Sequence, residues 1–393
     1  MRNSWLSIIG LGEDGLAGLS VTSRAALAAA EVVFGGPRHL LLAEVDARGR
    51  PWPVPFDLAP VLALRGRPVA ILASGDPFWF GAGGSLAAEL DAAEWMVYPA
   101  PSTFSLAAAR LGWRLENVAC HGLHATPFAS IRPDLQRGAR LLCLLRDGTA
   151  VRDFAHWLDG LGFGASQLWV LEALGGPREQ IRRSHATGFY LSTTVTPVAV
   201  AVEVAGGPGL QRSNGLPESL FAHDGQITKS PMRALTLAAL APRPGEHLWD
   251  VGSGSGSVSV EWCLAGGHAS AVEQHAARVA NIRANALGFG LGNALQAIEG
   301  QAPQALARLA PPQAIFVGGG FDLALFHALQ SLAPSGCRLV VNAVTLETES
   351  ALTQLHLQHG GSLLRVELAH SAPLGSMRGW APARPVVQWS IIL

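Results

Sequence analysis

The stretch EHLWDVGSGSGSVSVEW, Glu246 to Trp262, decides the fold of the second half of the chain. A short apolar run ends at Asp250, glycines follow at alternate positions (Gly252, Gly254 and Gly256), and a helical pattern begins after them. Glycines let the backbone turn sharply and approach a ligand, and the free N–H groups at a helix start favour a carboxylate or a phosphate. The stretch therefore predicts a ligand pocket at the end of a strand.

The spacing of these glycines narrows the choice of ligand for this pocket. A dinucleotide-binding turn needs GxGxxG, but the position of its third glycine is taken here by Ser257, so the spacing is GxGxG. Glu273 ends the next predicted strand, where an acidic side chain can accept both hydroxyls of a ribose. An oxidoreductase that binds a dinucleotide on this sheet is an alternative, although Ser257 argues against it; calorimetry with NADH separates the two hypotheses.

The pattern around the glycine loop predicts a doubly wound parallel sheet. Strands are expected near 246–251, 268–273, 294–299, 313–317 and 336–343, with helices between them. The closing runs GSLLRVELAHS and RPVVQWSIIL are strand-like without a clear helix between them, which predicts a terminal antiparallel hairpin. This second domain is expected to cover residues 220–393.

The pattern of the first half of the chain also predicts an α/β fold. Strands are expected at 6–10, 68–74, 95–99, 140–145, 167–173 and 197–204, and helices at 20–30, 82–90, 103–111 and 150–158. The stretch 205–219 holds four glycines and two prolines and lacks periodicity, so we interpret it as a linker that follows a first domain of residues 1–204. A length of 393 residues fits two domains.

Composition excludes several classes of function. The net charge is −1 and the 28 cations are dispersed, so neither a nucleic-acid stripe nor a membrane-binding patch is expected. No apolar run is long enough for a spanning helix, and the start of the chain does not resemble a signal peptide. The four cysteines form no CxxC, and His121 and His124 lack a third ligand nearby, so we expect a cytoplasmic protein without a metal site.

Further motifs in the second half resemble the decarboxylating precorrin methyltransferases. They are, in order, HDGQITKSPMRALTLAAL, VEQHAARVANIRANA, EGQAPQAL, AIFVGGG and NAVTLET. The resemblance implies a Rossmann-like class I methyltransferase fold that binds S-adenosylmethionine. It also implies roles: Glu273 holds the ribose, Ala302 lies at the adenine, and the methionine part is held by Thr228, Gly252, Ser253, Gly254, Ser255 and Gly256. Gln301 stands where many relatives have an acid. Its amide oxygen can accept a hydrogen bond from the adenine amino group, but the amide brings no charge to that contact.

Motifs in the first half resemble the tetrapyrrole methylases, which fold as two α/β subdomains with a pocket in the cleft. They are IIGLGEDGLAGLS, AAAEVVFGGPRHL, ILASGDPFWFGAGGSL, VYPAPSTFSLAAARLGW, CHGLH, LEALGGPREQI and TPVAVAVEV. The resemblance implies that S-adenosylmethionine is contacted by Gly75 and Asp76, with Ser102 and Thr103 near its other side. Gly10 and Gly12 would permit close approach of a ligand. We interpret Phe78, Trp79 and Phe80 as core or rim residues, and Ser102 and Ser105 as helix-capping residues.

Together, the two resemblances imply a bifunctional C-methyltransferase of corrin biosynthesis with two S-adenosylmethionine sites per chain. The first domain would methylate C5 of an anionic reduced tetrapyrrole of the precorrin-6 type. The second would methylate C15 and remove CO₂ from the acetate at C12, giving precorrin-8. A cobalt-containing substrate is an alternative, and a homo-oligomer is expected by analogy. Candidates for the substrate side are Lys229, Arg233, Asn342, Thr345 and Arg378.

Overall fold

The structure, a computed structural model, describes residues 4–393. The chain forms two compact units, one of residues 4–128 and Asp134–Gly209, the other of Ala129–Pro133 and Leu210–Leu393. Within residues 4–393, every helix is too short or too polar to cross a membrane.

The first sheet of the first unit is parallel. Its strands are β1 (Leu6–Leu11), β2 (Val32–Gly35), β3 (Gly49–Pro51), β4 (Val69–Ser74) and β5 (Trp95–Tyr98), in the order β3-β2-β4-β1-β5. The helices that alternate with them are α1 (Val21–Ala29), α2 (Pro37–Leu42), α3 (Ala59–Leu62) and α4 (Ala82–Glu89). Side chains of β1 enter two cores in turn, since Ile8 packs in one and Ile9 in the other.

The second sheet of the first unit is mixed. It contains β6 (Val118–Gly122), β7 (Arg140–Leu145), β8 (Gln167–Glu172), β9 (Gln180–His185) and β10 (Val198–Glu203), in the order β6-β7-β10-β8-β9. Only the pair of β6 and β7 is parallel. Helices α5 (Thr103–Leu111) and α6 (Gly148–Leu158) belong to the same unit. The six predicted strands and four predicted helices are confirmed, but four strands, β2, β3, β6 and β9, were missed. β9, with the sequence QIRRSH, is a polar edge strand without apolar alternation.

The second unit contains a seven-stranded sheet in the order β13-β12-β11-β14-β15-β19-β16. The elements in chain order are α7 (Ser230–Leu240), β11 (His247–Val251), α8 (Ser257–Leu264), β12 (His268–Glu273), α9 (Ala276–Gly288), β13 (Leu295–Glu299), β14 (Ala314–Val317), α10 (Leu323–Leu332), β15 (Arg338–Ala343), α11 (Leu346–His359), β16 (Ser362–Val366), β17 (Ala369–Leu374), β18 (Met377–Pro382) and β19 (Val386–Ile392). The predicted parallel strands are confirmed to within two residues.

The end of the sheet confirms the predicted antiparallel entry of the last strand. β19 lies between β15 and β16 and is antiparallel to both. Between β16 and β19 the chain also forms a separate two-stranded sheet of β17 and β18, which the sequence did not predict. The fold therefore belongs to the Rossmann-like class that the glycine spacing indicated.

Candidate active sites

The glycine loop of the second unit joins β11 to α8. Gly252, Gly254 and Gly256 have φ angles of 66°, 60° and 73°, in the left-handed region that strains any residue with a side chain. A Cβ on Gly252 would also lie 2.7 Å from the carbonyl oxygen of Gly319. The path of this loop therefore requires the glycines that the sequence supplies.

Glu273, at the end of β12, binds the glycine loop directly. Its side chain is buried, and one carboxylate oxygen accepts the Gly254 N–H at 3.0 Å. The other oxygen accepts the His275 N–H, also at 3.0 Å. Since a carboxylate has about four acceptor positions, both oxygens keep lone pairs for a further donor. The acid predicted to hold a ribose is thus placed against the loop with acceptor capacity to spare.

Asp250 supports the loop from the end of β11, and sequence reasoning did not place it in the site. Its Oδ2 accepts hydrogen bonds from the hydroxyls of Ser253, at 2.7 Å, and Ser259, at 2.6 Å. Burial raises the pKa of Asp250 to about 6, against the opposing effect of these two hydroxyls. The sequence signal that could have identified Asp250 is an acid at the end of the strand, just before the glycine loop.

A cavity of about 640 Å³ lies beside the loop, at the carboxyl ends of the parallel strands. This edge, where the strand order reverses between β11 and β14, is the usual ligand site of open α/β sheets. Nine of the predicted residues line it: Thr228, Lys229, Gly252, Ser253, Gly254, Glu273, Gln301, Ala302 and Asn342. The structure thus brings together residues that lie more than 100 positions apart in the chain.

Arg233 corrects one expectation, because it does not lie on the substrate side. Its side chain is fully buried, and its Nε donates to Glu261 Oε1 at 2.6 Å. The same guanidinium donates to the carbonyl oxygens of Thr228 and Leu216. Glu261 in turn accepts the N–H groups of Gly215 and Leu216. All three guanidinium nitrogens of Arg233 donate within the fold and its side chain is fully buried, so it cannot reach a substrate carboxylate without breaking this ion pair.

Four other predicted residues also lie outside the lining of this cavity. Thr345 caps α11, where its hydroxyl accepts the Thr348 N–H at 3.3 Å. Arg378 lies in β18, opposite Pro373 of β17. Ser255 is buried, and Gly256 packs against Ile282. The sequence motifs placed these residues in elements expected near the site, but they could not show which of the residues face the cavity.

Asn342 lines the cavity and is held by a buried amide network. Its Nδ2 donates to Thr236 Oγ1 at 2.9 Å, and its Oδ1 accepts from Gln388 Nε2 at 2.9 Å. Gln388 also donates to Thr236 Oγ1, at 3.2 Å. β15 and β19 bring Asn342 and Gln388 into register. The orientation of the Asn342 amide is therefore fixed before any ligand arrives.

Two cations in the cavity lining are unpaired within residues 4–393. Lys229, a predicted residue, and Arg384, which sequence reasoning missed, are both exposed and make no ion pair among the described side chains. A third cation, Arg278, also lines the cavity but donates to Asp224 at 2.9 Å. The cavity lining also includes apolar residues, which are Val344, Val366, Leu368, Ala383 and Val386.

A second cavity, of about 330 Å³, lies in the first unit and is lined from both of its sheets. Ser102 and Thr103 line it, as does Ser74, the residue before Gly75 and Asp76. Ser102 also accepts the Ser105 N–H at 3.1 Å, which confirms its predicted role as the cap of α5. The cleft position of the cavity agrees with the expectation for the first half of the chain.

Close contacts within the chain surround Gly10 and Gly12, the two glycines predicted to permit approach of a ligand. A Cβ on Gly10 would lie 1.9 Å from the carbonyl oxygen of Gly75 and 2.6 Å from the Ala100 nitrogen. A Cβ on Gly12 would lie 2.5 Å from the Asp14 carboxylate. Approach of the Gly75 backbone requires glycine at position 10, whereas Gly12 meets only the end of the flexible Asp14 side chain.

A polar cluster beside this second cavity was also missed by sequence reasoning. His39 Nε2 lies 2.8 Å from Ser74 Oγ and 3.0 Å from Arg38 Nη2. Arg38 and Arg178 both bind the buried carboxylate of Glu13. Burial, together with the charge of Arg38, lowers the pKa of His39 to about 4, so the ring is neutral at neutral pH. Because these residues are far apart in sequence, no local pattern announced the cluster.

The fold and the two cavities define a two-domain methyltransferase of tetrapyrrole compounds. Residues 6–188 match the family model of the tetrapyrrole (corrin/porphyrin) methylases, and residues 219–393 match that of the precorrin methyltransferase domain.

Relatives with both parts extend the match over almost the whole chain. A precorrin-6Y C(5,15)-methyltransferase [decarboxylating] of Sinorhizobium sp is 47% identical over 397 residues, covering 98% of this chain and 96% of the relative. A protein of the same description from Mycobacterium tuberculosis is 38% identical, covering 98% of each chain. A crystal structure of the C-terminal domain of the Rhodobacter capsulatus precorrin-6Y C5,15-methyltransferase is 59% identical over 46% of this chain and 98% of that one, with a TM-score of 0.46. The chain belongs to the precorrin-6Y C(5,15)-methyltransferase (decarboxylating) family.

Proposed function

We propose that the chain is a bifunctional S-adenosylmethionine-dependent C-methyltransferase of cobalamin biosynthesis that converts a precorrin-6 to precorrin-8. Residues 1–204 methylate C5, residues 220–393 methylate C15 and decarboxylate the C12 acetate, and residues 205–219 link the two domains. The observation that carries this proposal is the 47% identity to a C(5,15)-methyltransferase [decarboxylating] along 98% of the chain. The presence of a separate cavity in each unit supports two reactions.

In the second unit, the residues present fit S-adenosylmethionine. Thr228 and the loop of residues 252–256 hold the methionine part, Glu273 holds the ribose, and Gln301 and Ala302 lie at the adenine. The free lone pairs of Glu273 support the ribose contact, since its two oxygens accept only one backbone N–H each. When bound, the cofactor supplies a methyl group already activated on a sulfonium.

In the first unit, Gly75, Asp76, Ser102 and Thr103 contact a second molecule of S-adenosylmethionine. Ser102 and Thr103 line the cavity of this unit, and so does Ser74, which precedes Gly75 and Asp76 in the chain and supports their assignment. Gly10 contributes by letting β1 approach the Gly75 carbonyl. This gives two cofactor sites per chain, each with its own fold.

The chemistry at C15 requires alignment more than acid–base catalysis. Holding two reactants in line can supply roughly 7 to 11 kcal/mol of barrier reduction. Lys229 and Arg384 bind carboxylates of the macrocycle, and the fixed amide of Asn342 orients its edge. The scissile C12 carboxylate lies against the apolar lining, where loss of hydration favours its departure as CO₂. Electrons of the broken C–C bond enter the conjugated macrocycle, and uptake of a proton from solvent at the former acetate CH₂ carbon returns them to a C–H bond and leaves a methyl group at C12.

The same reasoning extends to assembly and location. We place the enzyme in the cytoplasm as a homo-oligomer. The cytoplasmic assignment is supported by the four cysteines, which are all unpaired within residues 4–393. The oligomer rests on analogy, and light scattering of the purified chain tests it by giving the number of copies per particle.

The proposed reaction is tested by mass spectrometry of the product. The purified chain is incubated with S-adenosylmethionine and either metal-free or cobalt-loaded precorrin-6 substrate. We expect the metal-free substrate to gain two methyl groups and lose one CO₂. If only the cobalt form is turned over, the proposed metal-free substrate is wrong and the enzyme acts on the cobalt-containing compound.

A further inference from the structure

Phe80 has a backbone conformation that is rare for an aromatic residue. Its φ is +57°, in the left-handed region that glycine tolerates and bulky residues avoid. Such outliers persist where the surrounding structure forces them, and they concentrate at ligand sites. Phe80 is also 52% exposed, so the fold does not use the strained position to bury the ring.

The segment around Phe80 is fixed by its own hydrogen bonds. Asp76 accepts the Phe78 N–H on its carboxylate at 2.9 Å and the Trp79 N–H on its carbonyl at 3.1 Å. The Pro77 carbonyl accepts the Gly83 N–H at 2.9 Å. These bonds determine the turn, and glycine at position 80 would satisfy it without strain. The aromatic ring is therefore retained for a purpose other than the turn.

The Phe80 ring lies at the second cavity, the one of about 330 Å³. It lines that cavity together with Trp52, Trp79 and Phe104, and its centroid is 5.9 Å from that of Phe104. Its other close neighbour is Gly122, the last residue of β6, where a Cβ would lie only 2.9 Å from a ring carbon. The first unit thus presents a group of aromatic rings, one of them half-exposed, at a cleft between its two sheets.

The size of the cavity indicates which ligand this ring meets. Pockets for drug-sized ligands measure about 300–1,000 Å³, so this cavity has room for one small ligand. Ser102 and Thr103, which we assign to the methyl donor, lie along it. A tetrapyrrole must then extend beyond the cavity, where a half-exposed ring offers it an apolar face.

We propose that Phe80 is a specificity-determining residue of the first unit, on whose ring the macrocycle of the reduced tetrapyrrole stacks, with Trp79 beside it. This inference rests on the proposed function. Offset stacking of flat, partly unsaturated rings on an aromatic side chain matches the chemistry of both partners. It positions C5 without using a charged group.

The Phe80→Gly variant of the full chain separates ligand binding from folding, because it removes the ring and the strain together. We expect the KM for the tetrapyrrole in C5 methylation to rise at least tenfold. The affinity of both S-adenosylmethionine sites should change less than twofold, and the unfolding temperature should not fall. Phe80→Ala should raise KM equally but unfold at a lower temperature than Phe80→Gly, because alanine keeps the strain.

Phe78→Ala is the matched control. Phe78 belongs to the same segment and is 43% exposed, but it packs on Trp95 and is not part of the cavity lining. Its KM should be unchanged. An unchanged KM in Phe80→Gly would overturn the inference, as would a tenfold loss of cofactor affinity in its place. If the wild-type chain fails to methylate C5 at all, the proposed function fails and this inference falls with it.

Discussion

The turn after β1 and the loop after β11 each follow a buried parallel strand and are both rich in glycine, yet they differ in what makes glycine necessary. At the end of β1, Gly10 is crowded by the Gly75 carbonyl, and neither Gly10 nor Gly12, which follows the strand, lines the cavity of its unit. In the second loop, Gly252 and Gly254 have left-handed backbones and border the cavity directly. The same sequence feature therefore marks an internal packing contact in one unit and the wall of a cavity in the other.

The comparison is most strongly tested by Gly254→Arg. A side chain at this position is strained by the φ of 60° and would project from a residue of the cavity wall. We expect C15 methylation and decarboxylation to fall at least about a thousandfold, or roughly 4 kcal/mol, while C5 methylation continues. Mass spectrometry of the products measures both.

Gly336→Arg is the control for backbone strain. Gly336 has a φ of 86°, a Cβ added to it would meet no atom within 4 Å, and it does not line the cavity. Its product pattern should match that of the wild type. Loss of both methylations in a folded Gly254→Arg protein would show that the two sites are not independent.

The buried ion pairs of the two units should also differ. Arg233→Met leaves the Glu261 carboxylate charged and buried, which should cost the second unit about 3–5 kcal/mol of unfolding free energy. In the first unit, the Arg178 side chain that binds Glu13 is 56% exposed, so Arg178→Met should cost about 1 kcal/mol or less. Urea unfolding measures both. Combining Arg233→Met with Glu261→Met should restore part of the loss; equal losses in the single and double variants would contradict this account.

Opposite responses to pH are expected from the two units. His39 has its pKa lowered from 6.5 to about 4, so its contribution to the first unit is full above pH 6.5 and is lost as pH falls through 4. Asp250 has its pKa raised from 3.8 to about 6, so its contribution to the second unit is full below pH 3.8 and is lost as pH rises through 6. Each effect is at most about 3 kcal/mol.

Hydrogen exchange between pH 4 and 6.5 resolves these opposite slopes, because it reports the unfolding free energy of each unit separately. His39→Gln should flatten the slope of the first unit alone, and Asp250→Asn that of the second alone. If either variant leaves the slope of its own unit unchanged, the pKa assignment for that residue is wrong.

The last of these effects concerns Gly10. Gly10→Ala forces a Cβ against the Gly75 carbonyl and should destabilise the first unit by roughly 1–3 kcal/mol, without changing the second. Gly84→Ala is the matched control, because Gly84 lies in α4 with open space around its Cβ position and should gain about 0.5–1 kcal/mol. Hydrogen exchange, used as the probe of thermal unfolding, measures the stability of each unit separately. An undisturbed Gly10→Ala protein would show that the contact with the Gly75 carbonyl does not require glycine at this position.

Local patterns predicted the fold because each is a short-range property of the chain. The end of β11, the glycines after it and the acid Glu273 follow from strand length and turn chemistry, and the Ser102 cap follows from the residues beside it. Arg233 was misassigned because its motif gives the helix but not the buried direction of the side chain. Arg384 and His39 were missed because most of the residues that line each cavity with them lie far away in the sequence.

The central claim is that each chain holds two separate methyl-donor sites. Titration calorimetry with S-adenosylmethionine tests it most directly, on the wild-type chain and on Gly254→Arg. We predict two equivalents per wild-type chain and one per variant chain, with the remaining site in the first unit. A single equivalent bound to the wild type, or none retained by the folded variant, would contradict the account.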